Sequence, residues 1–186
     1  MVSEIKLNLP NGDVLSFESG VTGMEVAQSI GAGLAKAALA YELDGVKRDM
    51  NMPITESGEF RILTFSDDEG KHIFWHSSSH IMAEAVRELF PGTKVAIGPA
   101  IEQGFYYDFD RKEPFTPEDL EAIEAKMKEI IAEGRIFQRC EVCCEEAIQR
   151  FEKDGEIYKI ELVGAIPLGE TVSLYTSGKF TDLCRG

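Results

Sequence analysis

The sequence predicts an α+β protein of two domains, a small one ending near residue 65 and a larger one after it. Residues 4–9 and 13–17 alternate apolar and polar side chains about a Pro10-Asn11-Gly12 turn, which is typical of a β-hairpin. Other segments repeat apolar residues every three or four positions behind helix-capping sequences, which is typical of amphipathic helices. The presence of both patterns predicts the α+β class.

The elements that come after this hairpin in the sequence predict the fold of the first domain. Thr22, with Glu25 three residues later, forms a capping box that begins a short helix. Asp44-Gly45 marks a second hairpin turn, and residues 59–65 have the apolar pattern of a central strand. A hairpin, a helix and further strands within residues 1–65 predict a small β-grasp domain.

The second domain, residues 66–186, opens with a second capping sequence. Ser66 and Glu69 predict the start of a long helix. At 100° per residue this helix has two faces of different chemistry. One is apolar and faces the core (Phe74, Trp75, Ser78, Ile81, Met82, Ala85, Leu89), and the other faces away from it (His72, His76, His80, Ala83, Arg87).

The remaining elements of the second domain are strands around two helices. Residues 95–110 predict two strands joined by a turn that contains Gly98-Pro99, and Thr116 with Pro117 begins a helix that ends near Gly134. A strand over residues 135–142 passes into a helix over 145–155. Three strand-like segments complete the chain, at 155–163, 168–178 and 179–186.

Composition restricts the functional classes. The 186 residues are 44% hydrophobic, without an apolar run long enough for a membrane span, and the first ten residues lack the pattern of a signal peptide. We therefore expect a cytoplasmic protein with reduced cysteines. The net charge of −14 opposes phosphate binding, so any role with nucleic acid requires basic surface from elsewhere.

Two patterns suggest chemistry. His72, His76 and His80 are four residues apart, so neighbouring imidazoles on a helix can share one ion or water, although a pair is only half of a site and the alternative is a solvated face. Cys140-Glu-Val-Cys143, followed by Cys144, is a C-x-x-C that can be half of a zinc site or a redox pair. No second such pair follows, so we favour cysteines that only pack.

The ordered motifs together resemble a known family. HSSSH (76–80), KVAIGPAIEQGFYYDFD (94–110), EIYKIE (156–161) and YTSGKFTDLCRG (175–186) resemble the N-terminal half of bacterial threonyl-tRNA synthetases. Residues 1–65 resemble their TGS domain. The rest resembles the α+β editing domain that they share with alanyl-tRNA synthetases, whose signature is H-x-x-x-H followed by C-x-x-x-H. The resemblance covers essentially the whole chain.

The resemblance implies the site residues and an activity. His76 and His80 match the first half of the signature and Cys184 the second, whose last histidine would fall two residues past Gly186. Lys159 and Asp182 join these three as implied catalytic residues, and Tyr107 as an implied substrate-binding residue. The implied activity is hydrolysis of serine wrongly attached to tRNA, by a fragment of a ligase that charges tRNA with threonine.

The resemblance also implies partners and cofactors. ATP, magnesium and zinc belong to a catalytic core that this chain lacks, and dimerisation is implied through the same core. No cofactor is expected in the fragment itself. At the editing site, His76, His80 and Cys184 form a possible zinc set, as in alanyl-type relatives, whereas the threonyl family is implied to work without metal. The expected partner is the 3′ end of tRNA carrying serine, with no membrane.

Two other functions remain open on the sequence. The chain can be a freestanding hydrolase that deacylates mischarged tRNA, but the incomplete signature disfavours this hypothesis. It can also be a non-catalytic module whose TGS part contacts RNA or a protein. A reading frame that continues past Gly186 into Pro-His would favour the synthetase fragment.

Overall fold

The computed structural model describes residues 3–167 and 169–184. The chain divides into two compact units, Met1–Trp75 and His76–Gly186, with the division inside a long helix. The domain boundary predicted after residue 65 stays a prediction. No helix in the described parts of the chain is long and apolar enough to cross a bilayer.

The first unit is built mainly of strands. In chain order its elements are β1 (Glu4–Asn8), β2 (Val14–Glu18), β3 (Val21–Thr22), α1 (Gly23–Ile30), α2 (Ala32–Ala37), β4 (Ala38–Leu43), β5 (Val46–Arg48), β6 (Pro53–Ile54) and β7 (Gly58–Thr64).

Five of these strands form one sheet in the order β2-β1-β7-β4-β5. β1 and β2 form the predicted hairpin, and β7 lies at the centre, parallel to β1 and antiparallel to β4. Asp44 and Gly45 both have positive φ, as a tight turn from β4 to β5 requires. The predicted β-grasp fold is confirmed.

Helix α1 closes the core of this unit. The Thr22 side chain accepts from Glu25 N–H and the Glu25 carboxylate accepts from Thr22 N–H, as the capping box predicts. A Cβ at Gly23 would lie 2.3 Å from the Tyr41 ring, so glycine lets the helix rest directly on β4. The buried core consists of Ile5, Leu7, Val26, Ala27, Tyr41, Leu43, Met50, Ile54 and Phe60.

The long helix α3 (Asp68–Leu89) begins differently from the prediction. Lys71 N–H donates to the Asp67 carbonyl at 2.9 Å, so Asp67 precedes the first turn. Its carboxylate accepts from the N–H and the hydroxyl of Thr64, at 2.8 and 3.0 Å, while Glu69 pairs with Arg61. The predicted capping box at Ser66 and Glu69 is therefore wrong, because the carboxylates of Asp67 and Glu69 both bind groups outside the helix.

The second unit contains the rest of α3 and the elements that follow it. These are β8 (Lys94–Val95), β9 (Ala100–Ile101), β10 (Gly104–Phe105), β11 (Phe109–Asp110), α4 (Pro117–Ala132), β12 (Gln138–Cys143), α5 (Cys144–Asp154), α6 (Ile157–Gly164), β13 (Thr171–Ser177) and β14 (Phe180–Leu183). The α+β class predicted for the whole chain is confirmed.

Helix α3 is buried on two sides rather than one. Ala85 and Val86 pack against Ile123 and Ile130 of α4, and on another side Ala83 packs with Val95 and Phe180. Of the histidine face predicted to point away from the core, His80 and Ala83 are buried, whereas Phe74 and Leu89 of the predicted core face are exposed. That part of the helix prediction is wrong because two separate apolar clusters cover α3.

Residues 94–110 form two short ladders in one nested hairpin. β8 pairs with β11, and β9 pairs with β10. The chain reverses at Glu102 and Gln103, because Ile101 is opposite Gly104. The turn predicted at Gly98-Pro99 is therefore wrong, and these two residues lie along the arm of the hairpin.

The last elements surround a three-stranded sheet in the order β12-β13-β14. Helix α5 follows β12 as predicted and packs Phe151 against Leu174 and Val163. Residues 155–163 are mainly helical, as α6, so the strand predicted there is wrong. The strands predicted over 168–178 and 179–186 form as β13 and β14, apart from Leu168 and residues 185–186, which lie outside the described residues.

Candidate active site

Side chains from four parts of the second unit meet at one buried cluster, here called the site cluster. Helix α3, the strand arm before β11, helix α6 and the end of β14 each contribute to it. The cluster contains all six residues that the family resemblance implied: His76, His80, Tyr107, Lys159, Asp182 and Cys184.

The two histidines lie one helical turn apart on α3. Their ring centroids are 4.7 Å apart and their Nε2 atoms 3.2 Å apart. Cys184 Sγ lies 2.9 Å from His76 Nε2. The backbone of Cys184 is held in place by Ser173. The Cys184 N–H donates to the Ser173 carbonyl, and the Ser173 hydroxyl donates to the Cys184 carbonyl. Two imidazole edges thus converge on one sulfur.

His80 is held in its protonated form. Burial disfavours the charged imidazole, but the hydrogen bond with Asp182 and the sulfur of Cys184 outweigh burial and raise the pKa of His80 to about 9. His80 Nδ1 donates to Asp182 Oδ2 at 2.8 Å. At neutral pH His80 is therefore an imidazolium with its Nδ1 proton fixed on the carboxylate.

Cys184 takes the opposite charge. Burial would raise the pKa of its thiol, but hydrogen bonds from His76 and His80 outweigh burial and lower the pKa of Cys184 to about 6. The side chain is 7% exposed. A thiolate beside an imidazolium is therefore the form of this pair at neutral pH.

Asp182 connects the histidines to Lys159. Its Oδ2 also accepts from Tyr107 Oη at 2.9 Å, and its Oδ1 accepts from Lys159 Nζ and from the N–H of Leu183. Burial would raise the pKa of this carboxyl, but His80 and Lys159 hold it well below its usual range. Every oxygen of this buried carboxylate therefore has two donors.

Tyr107 and Lys159 complete the polar network. Lys159 Nζ donates to Tyr107 Oη at 3.3 Å. Burial and the charge of Asp182 raise the pKa of Tyr107 far above its usual value, so it stays a phenol. Lys159 is only 4% exposed on the first turns of α6. With the imidazolium and the ammonium balanced by the thiolate and the carboxylate, the cluster is close to neutral overall.

The cluster offers the groups that ester hydrolysis requires. An imidazole can accept the proton of an attacking water, and an imidazolium can donate one to a leaving oxygen. A fixed ammonium can stabilise the negative oxygen of a tetrahedral intermediate. Because all of these groups are supported by hydrogen bonds, they are preorganised.

The same residues have donor atoms suitable for a metal ion. His76, His80 and Cys184 each offer one ligand atom, and these atoms lie within 4.8 Å of one another. Two imidazole nitrogens and a thiolate are donors that zinc prefers. A carboxylate behind a histidine, as Asp182 lies behind His80, is the usual support of a metal-binding imidazole. The residues fit zinc as three of its four ligands.

Two residues not singled out from the sequence hold Tyr107. The buried Ser79 hydroxyl lies 2.7 Å from the His76 carbonyl and 2.9 Å from the Gly98 carbonyl, so its proton can be donated to either oxygen. A Cβ at Gly98 would lie 2.0 Å from the Tyr107 ring, so the backbone there lies directly against that ring. Ser79 in HSSSH and Gly98 before Pro99 are the corresponding sequence signals, but the spacing of neither residue predicts that it lies beside Tyr107.

The remaining candidates lie outside the cluster. His72 is exposed and belongs to the first unit. Cys144 is buried in the core beneath β12 and β13, Cys140 packs against that core and Cys143 is exposed. Within the part of the chain that the structure describes, none of the four cysteines forms a disulfide bond. Packing, the interpretation favoured for this cysteine group, describes Cys140 and Cys144 but not Cys143.

Comparison with known proteins gives a consistent result. Residues 5–64 match the model of the TGS domain family. Over 98% of the chain, the sequence is 53% identical to the threonine–tRNA ligase of Carboxydothermus hydrogenoformans and 50% identical to that of Rhodospirillum rubrum. It is 48% identical over its full length to the ligase of Rhizobium rhizogenes. The chain spans only 28–29% of the length of these relatives.

Proposed function

Because the chain carries a TGS domain and is homologous over its whole length to part of the threonine–tRNA ligases, we propose that it proofreads as part of such an enzyme. The site cluster hydrolyses the ester of serine wrongly attached to the tRNA. The whole enzyme charges tRNA with threonine in the cytoplasm, using ATP and magnesium. Those steps, like dimerisation and the zinc of the catalytic core, belong to parts of the enzyme that this chain does not include.

The need for such a site follows from the small difference between the two amino acids. Serine lacks one methyl group of threonine, and a missing methyl group is worth only ~1–3 kcal/mol in a binding pocket. A synthetic site therefore admits serine at a rate that translation cannot tolerate. A second site that admits serine but excludes threonine by its methyl group corrects the error.

The arrangement of Lys159, Asp182 and His80 carries the proposal. Asp182 binds both cationic groups, so the ammonium and the imidazolium lie on either side of one buried carboxylate. An ester is the substrate class that uses both cations, one at the carbonyl oxygen and one at the leaving oxygen. The similarity to the threonine–tRNA ligases supports an aminoacyl-tRNA as the source of that ester.

The proposed reaction assigns one proton step to each histidine. A water attacks the ester carbonyl carbon and gives its proton to His76. Lys159 stabilises the resulting oxyanion, and the bond to the ribose oxygen then breaks. His80, protonated because its pKa is about 9, gives a proton to that leaving oxygen. The products are serine and uncharged tRNA.

The contacts of Asp182 favour a positioning role over substrate binding. Both of its oxygens are already occupied by His80, Tyr107, Lys159 and the Leu183 N–H. It therefore fixes the proton on His80 Nδ1 and holds the lysine in place. Where zinc is present, His76, His80 and Cys184 would hold it, and it would supply Lewis acidity at the ester carbonyl.

Deacylation of tRNA carrying serine tests the proposal. We expect this chain at high concentration to release serine and to leave threonine attached to a matched tRNA. His76→Ala and Lys159→Met should each lower the rate by ~100-fold or more. His72→Ala is the matched control, because it removes an exposed histidine of the same helix and should leave the rate unchanged. Equal cleavage of both esters, or full activity of the two site variants, would contradict proofreading.

A further inference from the structure

A second buried ion pair lies outside the site cluster and joins α3 to the start of α6. Arg87 Nη1 donates to Glu156 Oε1 at 3.1 Å. The Glu156 side chain is 4% exposed and that of Arg87 30%. The other carboxylate oxygen of Glu156 accepts from Val95 N–H at 3.4 Å. The carboxylate therefore connects three elements, α3, β8 and α6.

Glu156 also sets where α6 begins. Its φ and ψ of −86° and 75° lie outside the helical region, so the helix starts at the next residue. The carbonyl of Glu156 accepts from the N–H groups of Lys159 and Ile160, both at 3.1 Å. Because Lys159 is the third residue of α6, the place of its backbone follows from the place of Glu156.

Arg87 also contacts the strand that supplies Asp182. Its guanidinium lies 5.9 Å from the centre of the Phe180 ring. Phe180 begins β14, two residues before Asp182 on the same face of that strand. One side chain of α3 thus touches the start of α6, which supplies Lys159, and the start of β14, which supplies Asp182.

From these contacts we propose that Arg87 and Glu156 are positioning residues that hold Lys159 against Asp182. Replacing both partners of such a pair with apolar residues often leaves stability unchanged, whereas removing one partner leaves a buried charge. Here the pair fixes one arrangement of α3, β8 and α6. Without it, α6 can shift along β8 and carry the ammonium away from the carboxylate. The expected effect on catalysis rests on the proposed function. The positioning itself rests on the geometry of these contacts.

A double-mutant cycle separates positioning from general stability. We expect Arg87→Met to slow serine release from tRNA ~10-fold, with the change in kcat rather than KM, and Arg87→Lys to restore part of the rate. In the Lys159→Met background, Arg87→Met should change the residual rate less than 2-fold. Val142→Ala, in the core beneath β12, is the control for simple destabilisation and should act equally in both backgrounds. Equal effects of Arg87→Met in both backgrounds would overturn the proposal.

A measurement independent of activity uses the ammonium itself. Lys159 is buried and bound to Asp182, so its ¹⁵Nζ signal should be protected from solvent exchange and visible by NMR, and Lys159→Met identifies it. We expect Arg87→Met and Glu156→Gln to broaden or shift this signal, with the Val142→Ala spectrum unchanged. If the signal is unaffected in a folded Arg87→Met variant, the positioning claim fails. If the wild-type chain releases no serine but the signal responds, the proposed function fails and the positioning remains.

Discussion

Asp182 and His80 are 102 residues apart in the sequence, yet Oδ2 of the aspartate lies 2.8 Å from Nδ1 of the histidine. Both side chains are buried. Each therefore holds the other in its charged form, with the pKa of Asp182 lowered and the pKa of His80 raised to about 9. In the proposed reaction, this contact makes His80 the proton donor and leaves His76 as the proton acceptor.

We predict that one of the three histidine side chains titrates near pH 9. The chain has only three, so the imidazole signals can be assigned by NMR with single His→Gln variants. In Asp182→Asn the hydrogen bond to a charged carboxylate is lost, and the pKa of His80 should fall by about one unit or more. A value for His80 near 6.5 in the wild-type chain would contradict the imidazolium.

Stability should respond to pH through the same groups. The raised pKa of His80 stabilises the fold fully below its ordinary value of 6.5, and this is lost as pH rises through about 9. The lowered pKa of Cys184 acts in the opposite direction, since its contribution is complete above the ordinary value of 9.0 and is lost as pH falls through about 6.

These opposing slopes should nearly cancel between pH 6.5 and 9 in the wild-type chain. In Cys184→Ala only the slope of His80 remains. The free energy of unfolding should then fall as pH rises over that range, by less than the ~3.4 kcal/mol that a pKa raised from 6.5 to about 9 implies, because Cys184 contributes part of that rise. Urea titrations at several pH values measure it, and a flat profile for Cys184→Ala would be inconsistent with the coupled pair.

Removing the hydroxyl of Tyr107 should lower both the stability of the chain and its rate of serine release without abolishing either. Tyr107→Phe takes one donor from Asp182 and one acceptor from Lys159. We expect a loss of ~1–2 kcal/mol in the free energy of unfolding, because a buried charged group loses a hydrogen bond. Serine release from tRNA should slow by ~10-fold.

The adjacent tyrosine provides the matched control for this variant. Tyr106 is 48% exposed. Tyr106→Phe should change the unfolding free energy by less than ~0.5 kcal/mol, as is usual for surface positions. If the two variants have the same unfolding free energy and the same deacylation rate, the hydroxyl of Tyr107 contributes no more than that of the exposed Tyr106.

The elements that sequence patterns predicted correctly are those determined by local interactions. The capping box at Thr22, the helix start at Thr116 and the turn at Asp44-Gly45 all form as their residues predict. These features depend on backbone groups within three or four residues, so the sequence contains all of the required information.

Two of the failed predictions concern helices with buried polar side chains. In α6 the buried positions are Lys159 and Val163, four residues apart, while Ile157 is 54% exposed. A pattern of apolar residues inside therefore assigns the wrong faces, and the segment is mistaken for a strand. His80 on α3 misleads in the same way. Functional sites are where such local rules are expected to fail.

The membership of the site cluster could not be derived from spacing. His76 and His80 are close in sequence, but their partners are separated from them by about a hundred residues. No periodicity connects α3 to the end of β14. The family resemblance provided these residues, and only the packing of α6 and β14 beside α3 explains why they meet.

A close backbone contact in the first unit gives a prediction about stability. A Cβ at Gly70 would lie 1.8 Å from the Thr64 carbonyl oxygen at the end of β7. Gly70→Ala should therefore displace the start of α3 and cost ~2–3 kcal/mol of unfolding free energy. Gly33→Ala is the control, because a Cβ there meets nothing within 4 Å in α2. It should stabilise the chain by ~0.5–1 kcal/mol, as alanine does in a helix, and both changes are measurable by thermal and urea unfolding.

The last prediction is that this chain binds tRNA weakly despite its proposed substrate. Nucleic-acid affinity depends largely on Lys and Arg side chains that release counterions from phosphates, and the net charge here is −14. We expect a Kd well above ~1 μM at physiological salt, a shallow dependence on salt concentration, and no formation of threonyl-adenylate from ATP and threonine. Filter binding across a salt series, with a full-length threonine–tRNA ligase relative as the positive control, measures the first two, and pyrophosphate exchange measures the third. Submicromolar binding would mean that the chain carries its own tRNA-binding surface, and the expectation that a role with nucleic acid requires basic surface from elsewhere would then be wrong.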